Sequence, residues 1–135
     1  LKALDENLNL NDKRVILRVD LNVPIQEGNV TDKSRINKII PIIKELVNKK
    51  AKVILISHMG RPKGKFDKKL SLKPLSLILN ELINSQVHFS NENFGPIAKE
   101  KIKKIKSGEV LLLENLRFNK NEELNTKSFA SVVTL

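Results

Sequence analysis

The hydrophobic pattern of the chain alternates between short continuous apolar runs and longer segments in which apolar residues recur at helical spacing. Brief runs rich in Val, Ile and Leu are typical of strands that are buried on both faces of a parallel sheet. Such runs predict strands at Arg14–Val19, Lys52–Ser57, Val87–Phe89 and Glu109–Leu113.

Between these runs, apolar residues three and four positions apart predict helices over about 33–49, 72–84 and 96–106. Residues that favour a helix start precede each of them: Thr31-Asp32, Ser71 and Gly95-Pro96. Pro41 lies inside the first predicted helix and is expected to kink it. The apolar stretch 129–135 is interpreted as the start of a last helix.

The resulting alternation of strands and helices predicts the α/β class, as a three-layer α/β/α domain with a Rossmann-like parallel sheet and right-handed crossovers. A chain of 135 residues is expected to form one domain over 1–135. Because the apolar pattern of 129–135 is cut at its end, we expect this domain to be incomplete at the C-terminus.

Polar clusters follow three of the predicted strands. They comprise Asp20-Leu21-Asn22, then Ser57 to Gly64, which is rich in Gly and basic residues, and Glu114 to Arg117. If the strands are parallel, these clusters share the carboxyl-end edge of the sheet, which is where open α/β sheets bind ligands.

Composition narrows the class of protein. The chain carries 25 Lys and Arg against 15 Asp and Glu, a net charge of +10, which favours an anionic partner. The absence of Cys excludes a disulfide scaffold and a Cys-based zinc site, and no apolar run reaches the ~18 residues of a membrane span. With no signal pattern at its start, the sequence predicts a cytosolic protein. Neither a G-x-x-x-x-G-K-[ST] nor a G-x-G-x-x-G motif occurs.

Arginines accompany the polar clusters. Arg35 lies in the first turn of a predicted helix, where a cation opposes the helix dipole at a cost of up to ~1 kcal/mol. An anion bound at that helix end would reverse the sign of this effect. Arg61 and Arg117 follow strand ends, and guanidinium groups match phosphate or carboxylate bidentately. If the sheet order brings the three together, they predict an anion site.

Each candidate also has an ordinary structural explanation. Asp20 and Asn22 are common turn formers, a lone His such as His58 is more often structural, and isolated Arg residues are usually solvated. Two other function classes therefore stay open. One is a basic nucleic-acid-binding module using the Lys-rich helix 96–106, although the chain has no Trp or Tyr for stacking on bases. The other is a receptor for phosphorylated metabolites without catalysis.

Three segments, in order and near the expected spacing, resemble signature segments of the phosphoglycerate kinase family: Arg18 to Pro24, Ser57 to Pro62 and Leu113 to Phe118. Ser71 to Pro74 and Phe94 to Pro96 are also similar to family segments, so the resemblance covers essentially the whole chain. It implies a glycolytic enzyme of two α/β domains joined by a closing hinge. The amino-terminal domain, to most of which this chain is similar, would bind 3-phosphoglycerate or 1,3-bisphosphoglycerate.

The resemblance also implies roles for individual residues. The catalytic residue would be Arg35, and the substrate-binding residues would be Asp20, Leu21, Asn22, Arg35, His58, Met59, Gly60, Arg61 and Arg117. Met59 departs from the family, which usually has Leu there. Mg-ATP or Mg-ADP would bind the other domain, with no cofactor or metal residues in this chain. The fragment alone is expected to be inactive. The full-length enzyme is expected to be a cytoplasmic monomer with a small-molecule substrate and neither nucleic-acid nor membrane partners.

Overall fold

The structure is a computed structural model that describes residues 9–27, 29–62, 65–93 and 95–118, together with the strand at 132–134. Its helices and strands follow in chain order: β1 Arg14–Arg18, β2 Ile25–Gln26, β3 Asn29–Val30, α1 Ser34–Asn48, β4 Lys52–Ile56, α2 Lys73–Ile83, β5 Val87–Ser90, α3 Pro96–Lys104, β6 Val110–Leu113 and β7 Val132–Thr134. The predicted strands and helices in 14–113 are confirmed, with ends shifted by one or two residues.

One five-stranded sheet has the order β5-β6-β4-β1-β7, and every neighbouring pair is parallel. The apolar runs became strands because both faces of the sheet are covered. All residues of β6 are buried, and so are all residues of β4 except its first, Lys52. The predicted parallel α/β architecture is therefore confirmed.

The helices lie on opposite faces of the sheet. The apolar stripe of α1, from Ile36 to Leu46, packs with α2 and with Leu55 in one core cluster. The second cluster lies on the other face, where Ala98 and Ile102 of α3 pack with alternate residues of β4 and β6. This arrangement is the predicted three-layer order, and burying one Ile or Leu side chain contributes about 1.5–3 kcal/mol to it.

One predicted element is wrong. The stretch 129–135 was expected to begin a helix, but residues 132–134 form β7, which pairs with β1 in the register Ile16↔Val132. Two Val and one Thr favour strand over helix because their branched side chains have little rotamer freedom in a helix. The apolar spacing alone could not distinguish the two in so short a segment.

The helix starts differ in detail from the prediction. Asp32 accepts a hydrogen bond from Ser34 N at 2.9 Å, but the residue at the N-cap of α1 is Lys33. Ser71 Oγ accepts one from Lys73 N at 3.2 Å, while Leu72 occupies the N-cap of α2. A short antiparallel hairpin of β2 and β3 lies between β1 and α1. Pro41 lies inside α1, as expected.

Candidate functional site

Three loops meet at the carboxyl-end edge of the sheet: the first follows β1, the second follows β4 and the third follows β6. They meet because these three strands are neighbours. The first loop is joined to the second by Val19 N, which donates to Ile56 O at 3.0 Å. The second is joined to the third by Leu116 N, which donates to Ser57 O at 2.9 Å. The polar clusters that the sequence placed at one edge therefore lie side by side.

The loop after β1 holds Arg35 at the start of α1. The Asp20 carboxylate accepts from Asn22 N at 3.0 Å, which makes the expected turn. Arg35 Nη1 donates to Asp20 Oδ1 at 3.3 Å and to Asn22 O at 2.6 Å. Both charged side chains are about half exposed, 51% for Arg35 and 55% for Asp20. Arg35 is thus oriented by the loop while its guanidinium remains open to solvent.

The peptide at Gly60 connects this loop to the third one. Gly60 N donates to Asn22 Oδ1 at 3.1 Å, and Arg117 Nη1 donates to Gly60 O at 3.0 Å. Gly60 has a φ of +62°, and a Cβ there would lie 2.7 Å from Leu70 Cδ2, so the position requires glycine. A continuous series of hydrogen bonds therefore runs from Arg35 through Asn22 and Gly60 to Arg117.

A buried asparagine lies beneath this path. Asn115 is fully buried, and its side-chain amide uses its full hydrogen-bonding capacity. Oδ1 accepts from Met59 N at 3.2 Å and from Arg117 N at 3.0 Å. Nδ2 donates to Met59 O at 2.8 Å and to Leu70 O at 2.9 Å. Sequence reasoning noted Asn115 as part of a polar cluster but gave it no role.

Two further buried polar residues support the loops. Ser57 Oγ accepts from Leu21 N at 3.0 Å and donates to His58 O at 3.1 Å, which fixes the second loop to the first. The Glu114 carboxylate, 3% exposed, accepts from Ser71 Oγ at 2.6 Å, from Leu72 N at 2.9 Å and from Asn115 N at 2.9 Å. Sequence reasoning missed both roles, because a polar residue after a strand looks the same whether it points outward or inward.

The predicted site residues fall into three groups by exposure. The exposed ones are Asp20, Asn22, Arg35 and Arg61. The half-buried ones are His58, Gly60 and Arg117. Leu21 and Met59 are buried in the core beside α1 and α2, so the structure does not present their side chains to a ligand at the rim.

None of these residues lines the cavity that lies beside α2 in the described part of the chain. That cavity, of about 1130 Å³, lies between the β2–β3 hairpin and α2, beside Phe66, Leu77 and Glu114. Within the same part of the chain, no group of three or more His, Asp or Glu residues could hold a metal ion. No helix there is long and apolar enough to cross a membrane.

Comparison with known proteins identifies the family of the chain. The family model described as "Phosphoglycerate kinase" matches residues 5–134. The phosphoglycerate kinase of Chelativorans sp. is 45% identical over 132 residues, which cover 98% of this chain and 33% of that protein. That of Moorella thermoacetica is 49% identical over 125 residues, covering 93% and 32%. The chain thus spans about a third of the length of these curated relatives.

Solved structures are similar as well. The phosphoglycerate kinase of Pyrococcus horikoshii superposes with a TM-score of 0.77 at 38% identity, covering 85% of this chain and 28% of that one. The enzyme of Coxiella burnetii gives a TM-score of 0.73 at 40% identity, covering 84% and 28%. The sequence, the sheet and the residues at the strand ends together identify this chain as a member of the phosphoglycerate kinase family.

Proposed function

We propose that this chain is the phosphoglycerate-binding half of a kinase that reversibly transfers a phosphoryl group from 1,3-bisphosphoglycerate to ADP, which yields 3-phosphoglycerate and ATP. The observation that supports it best is the hydrogen-bonded path from Arg35 to Arg117, which holds two arginines on one rim. Two arginines on one rim attract an anion, and their guanidinium groups match phosphate or carboxylate oxygens bidentately.

Different residues of the rim contact different groups of the substrate. Arg61, Arg117 and His58 bind its phosphate and carboxylate, since guanidinium groups and an imidazole N–H donate to anionic oxygens. The Asp20 carboxylate accepts from the glycerate hydroxyl and repels a misplaced anion. Asn22 uses its side-chain oxygen to hold Gly60 N, so its amide NH₂ is the group that donates to the substrate.

Arg35 acts on the transferring phosphoryl group. Phosphoryl transfer requires positioning and positive charge on the equatorial oxygens more than covalent help. An arginine in that place contributes about 10³–10⁵ in rate in other phosphoryl-transfer enzymes. Its exposed guanidinium at the N-terminus of α1 adds to the helix dipole, and both attract the same anion.

In the proposed enzyme, nucleotide binding is assigned to the domain that this chain does not include. Mg-ATP or Mg-ADP supplies or accepts the phosphoryl group when bound, and the family resemblance assigns it to the carboxy-terminal domain. Among the described residues, no group of three or more His, Asp or Glu side chains could hold a metal ion by itself. We therefore expect the 135 residues to bind phosphoglycerate without turnover. For the whole enzyme we expect a cytoplasmic monomer in which domain closure excludes water.

The two other function classes are less well supported. The nucleic-acid hypothesis depends on the lysines of α3, yet the arginines of the rim are held by bonds that involve no residue of α3. A receptor without catalysis would need the same rim, and only activity in the presence of a nucleotide domain distinguishes it from a kinase.

Titration of 3-phosphoglycerate into the chain, followed calorimetrically, tests the binding half. Arg117→Ala removes charge-assisted hydrogen bonds, each about 1.5–3 kcal/mol, and is expected to raise Kd by about 10- to 150-fold. The matched control is Arg14→Ala, since Arg14 is an exposed arginine at the opposite end of β1. Equal affinity in the wild type and the Arg117 variant would contradict the assignment, as would equal losses in both variants.

A further inference from the structure

Asn115 is a buried polar residue that the proposed chemistry does not use. Its side chain cannot reach a ligand, because it is fully buried beneath the rim. A buried amide with unmet hydrogen bonds is costly, and here each of its donors and acceptors has a partner. Those partners all belong to segments that carry substrate-binding candidates or lie directly against them.

The amide holds the loop after β4 at two points. It binds both the N–H and the C=O of Met59, as a neighbouring strand would, and its second N–H binds Leu70 O. The Leu70 side chain occupies the space beside Gly60 where a Cβ would lie. One side chain therefore fixes the peptide before Gly60 and the residue packed against Gly60.

The same amide sets the start of the loop after β6. Asn115 Oδ1 accepts from Arg117 N, and Arg117 Nη1 then reaches across to Gly60 O. Met59 N and Arg117 N thus share a single acceptor atom. Asn115 Oδ1 therefore sets the position of the loop after β4 relative to Arg117. Contacts of His58 or Arg61 with a ligand would affect that position less directly.

The geometry points to Asn115 as a positioning residue for phosphoglycerate binding, which sets the spacing between the His58–Arg61 loop and Arg117 without touching the substrate. This inference rests on the proposed function. In a catalytic site, a displacement of about 1 Å can lower the rate on the order of 10²-fold. By the same geometric argument, a change of Asn115 is expected to lower the affinity for substrate as well as the stability of the fold.

The variant that isolates this role is Asn115→Asp. It has nearly the same shape and keeps an oxygen for Met59 N and Arg117 N, but it loses the donors to Met59 O and Leu70 O. The matched control is Asn93→Asp. Asn93 is also buried, and its Nδ2 donates to the Asn115 backbone carbonyl at 2.9 Å, yet the control leaves the Asn115 side chain intact. Both variants bury a carboxylate in place of an amide.

We expect Asn115→Asp to raise the Kd for 3-phosphoglycerate by about 10- to 100-fold in calorimetry and to shift the amide resonances of Gly60 and Arg117. Asn93→Asp is expected to leave Kd within about twofold, even where the two variants lose similar stability toward urea. Unchanged affinity in folded Asn115→Asp would overturn the inference. An equal loss of affinity in both variants would also do so, because the role would then be structural only.

If Asn115→Asp does not fold, hydrogen exchange in the wild-type protein tests the inference instead. Hydrogen exchange at Met59 N and Arg117 N should be slowed as far as in the buried strands, because both amides are bonded to Asn115. Rapid exchange at these two amides would overturn the inference. A wild-type chain that fails to bind 3-phosphoglycerate would instead overturn the proposed function, and amide exchange would still decide whether Asn115 fixes the loops.

Discussion

The removal of the Glu114 carboxylate should show how the start of α2 is stabilised. The first turn of α2 contains no acidic residue, and its N-cap, Leu72, has no side chain that can accept a hydrogen bond. Glu114, at the end of β6, supplies the missing acceptor from 42 residues away, for Leu72 N. Its negative charge also lies at the positive end of the α2 dipole. The carboxylate therefore caps the helix from another element.

The magnitude follows from the three donors. In Glu114→Ala, Ser71 Oγ, Leu72 N and Asn115 N lose their acceptor in a site where Glu114 is 3% exposed. Each unsatisfied buried donor costs about 1–3 kcal/mol, and the Ser71 hydroxyl can turn elsewhere, so we expect a loss of about 3–5 kcal/mol. Glu114→Gln keeps one oxygen for the two amides and loses the charge, at about 1–2 kcal/mol.

Glu92 provides the matched control. Its Oε1 accepts from Ile97 N at 2.9 Å at the start of α3, but this contact is exposed. We expect Glu92→Ala to cost about 0.5–1 kcal/mol, as for an ordinary helix cap. The assay is urea unfolding followed by circular dichroism and extrapolated to water. The reasoning is refuted if Glu114→Ala costs no more than Glu92→Ala, or if the Ala and Gln variants of Glu114 are equally stable.

Three other changes test separate features. Gly60→Ala should lower the free energy of unfolding by about 2–3 kcal/mol, since φ is +62° and Leu70 must move. Gly108→Ala has a φ of +83°, but its Cβ would meet neighbouring atoms only at ordinary van der Waals distance, so it should cost only about 1–2 kcal/mol. Equal losses in urea would contradict this. The hydrogen bond from the Ser107 side chain, followed by the hydrogen bond and charge of Lys52, holds the pKa of Asp12 below its usual value. The ionised Asp12 therefore stabilises the fold above about pH 3.9, and this contribution disappears as the pH falls through the folded-state pKa. Asp12→Asn should therefore flatten the acid limb of an unfolding-free-energy profile, and an unchanged slope would count against the contact. Gly95→Ala should destabilise α3, because its Cβ would collide with Glu92 Oε1. If that collision is the cause, Gly95→Ala/Glu92→Ala should be no less stable than Glu92→Ala alone.

The fold was largely predictable because its strands are continuous apolar runs and its helices have regular apolar faces. In α1, the buried residues are those whose spacing predicted the helix. The failure at 132–134 has a local cause, since a three-residue β-branched segment gives no period to measure. Its strand state is fixed by pairing with the free edge of β1, which depends on the sheet order.

The site was predictable only in part. The general rule for strand ends placed Asp20, Arg61 and Arg117 at one edge, and the structure agrees. The residues that hold those loops were missed because their partners are far away in sequence. Asn115 is 56 residues from Met59, and Ser57 is 36 residues from Leu21. No local pattern records such a contact, and a buried polar side chain has the same sequence signature as an exposed one.

Arg35 shows how the structure changes the weight of a sequence argument. A cation in the first turn of α1 opposes the helix dipole, and an anion bound at that helix end would reverse the sign of this effect. The structure supplies a counter-charge within the chain, Asp20, at 3.3 Å. Since both side chains are about half exposed, such a pair is worth only about 0–1 kcal/mol. A pair this weak offsets only part of the charge of Arg35. Together with the hydrogen bond to Asn22 O it orients the guanidinium, which stays exposed and open to a more strongly charged anion, as the proposed role of Arg35 requires.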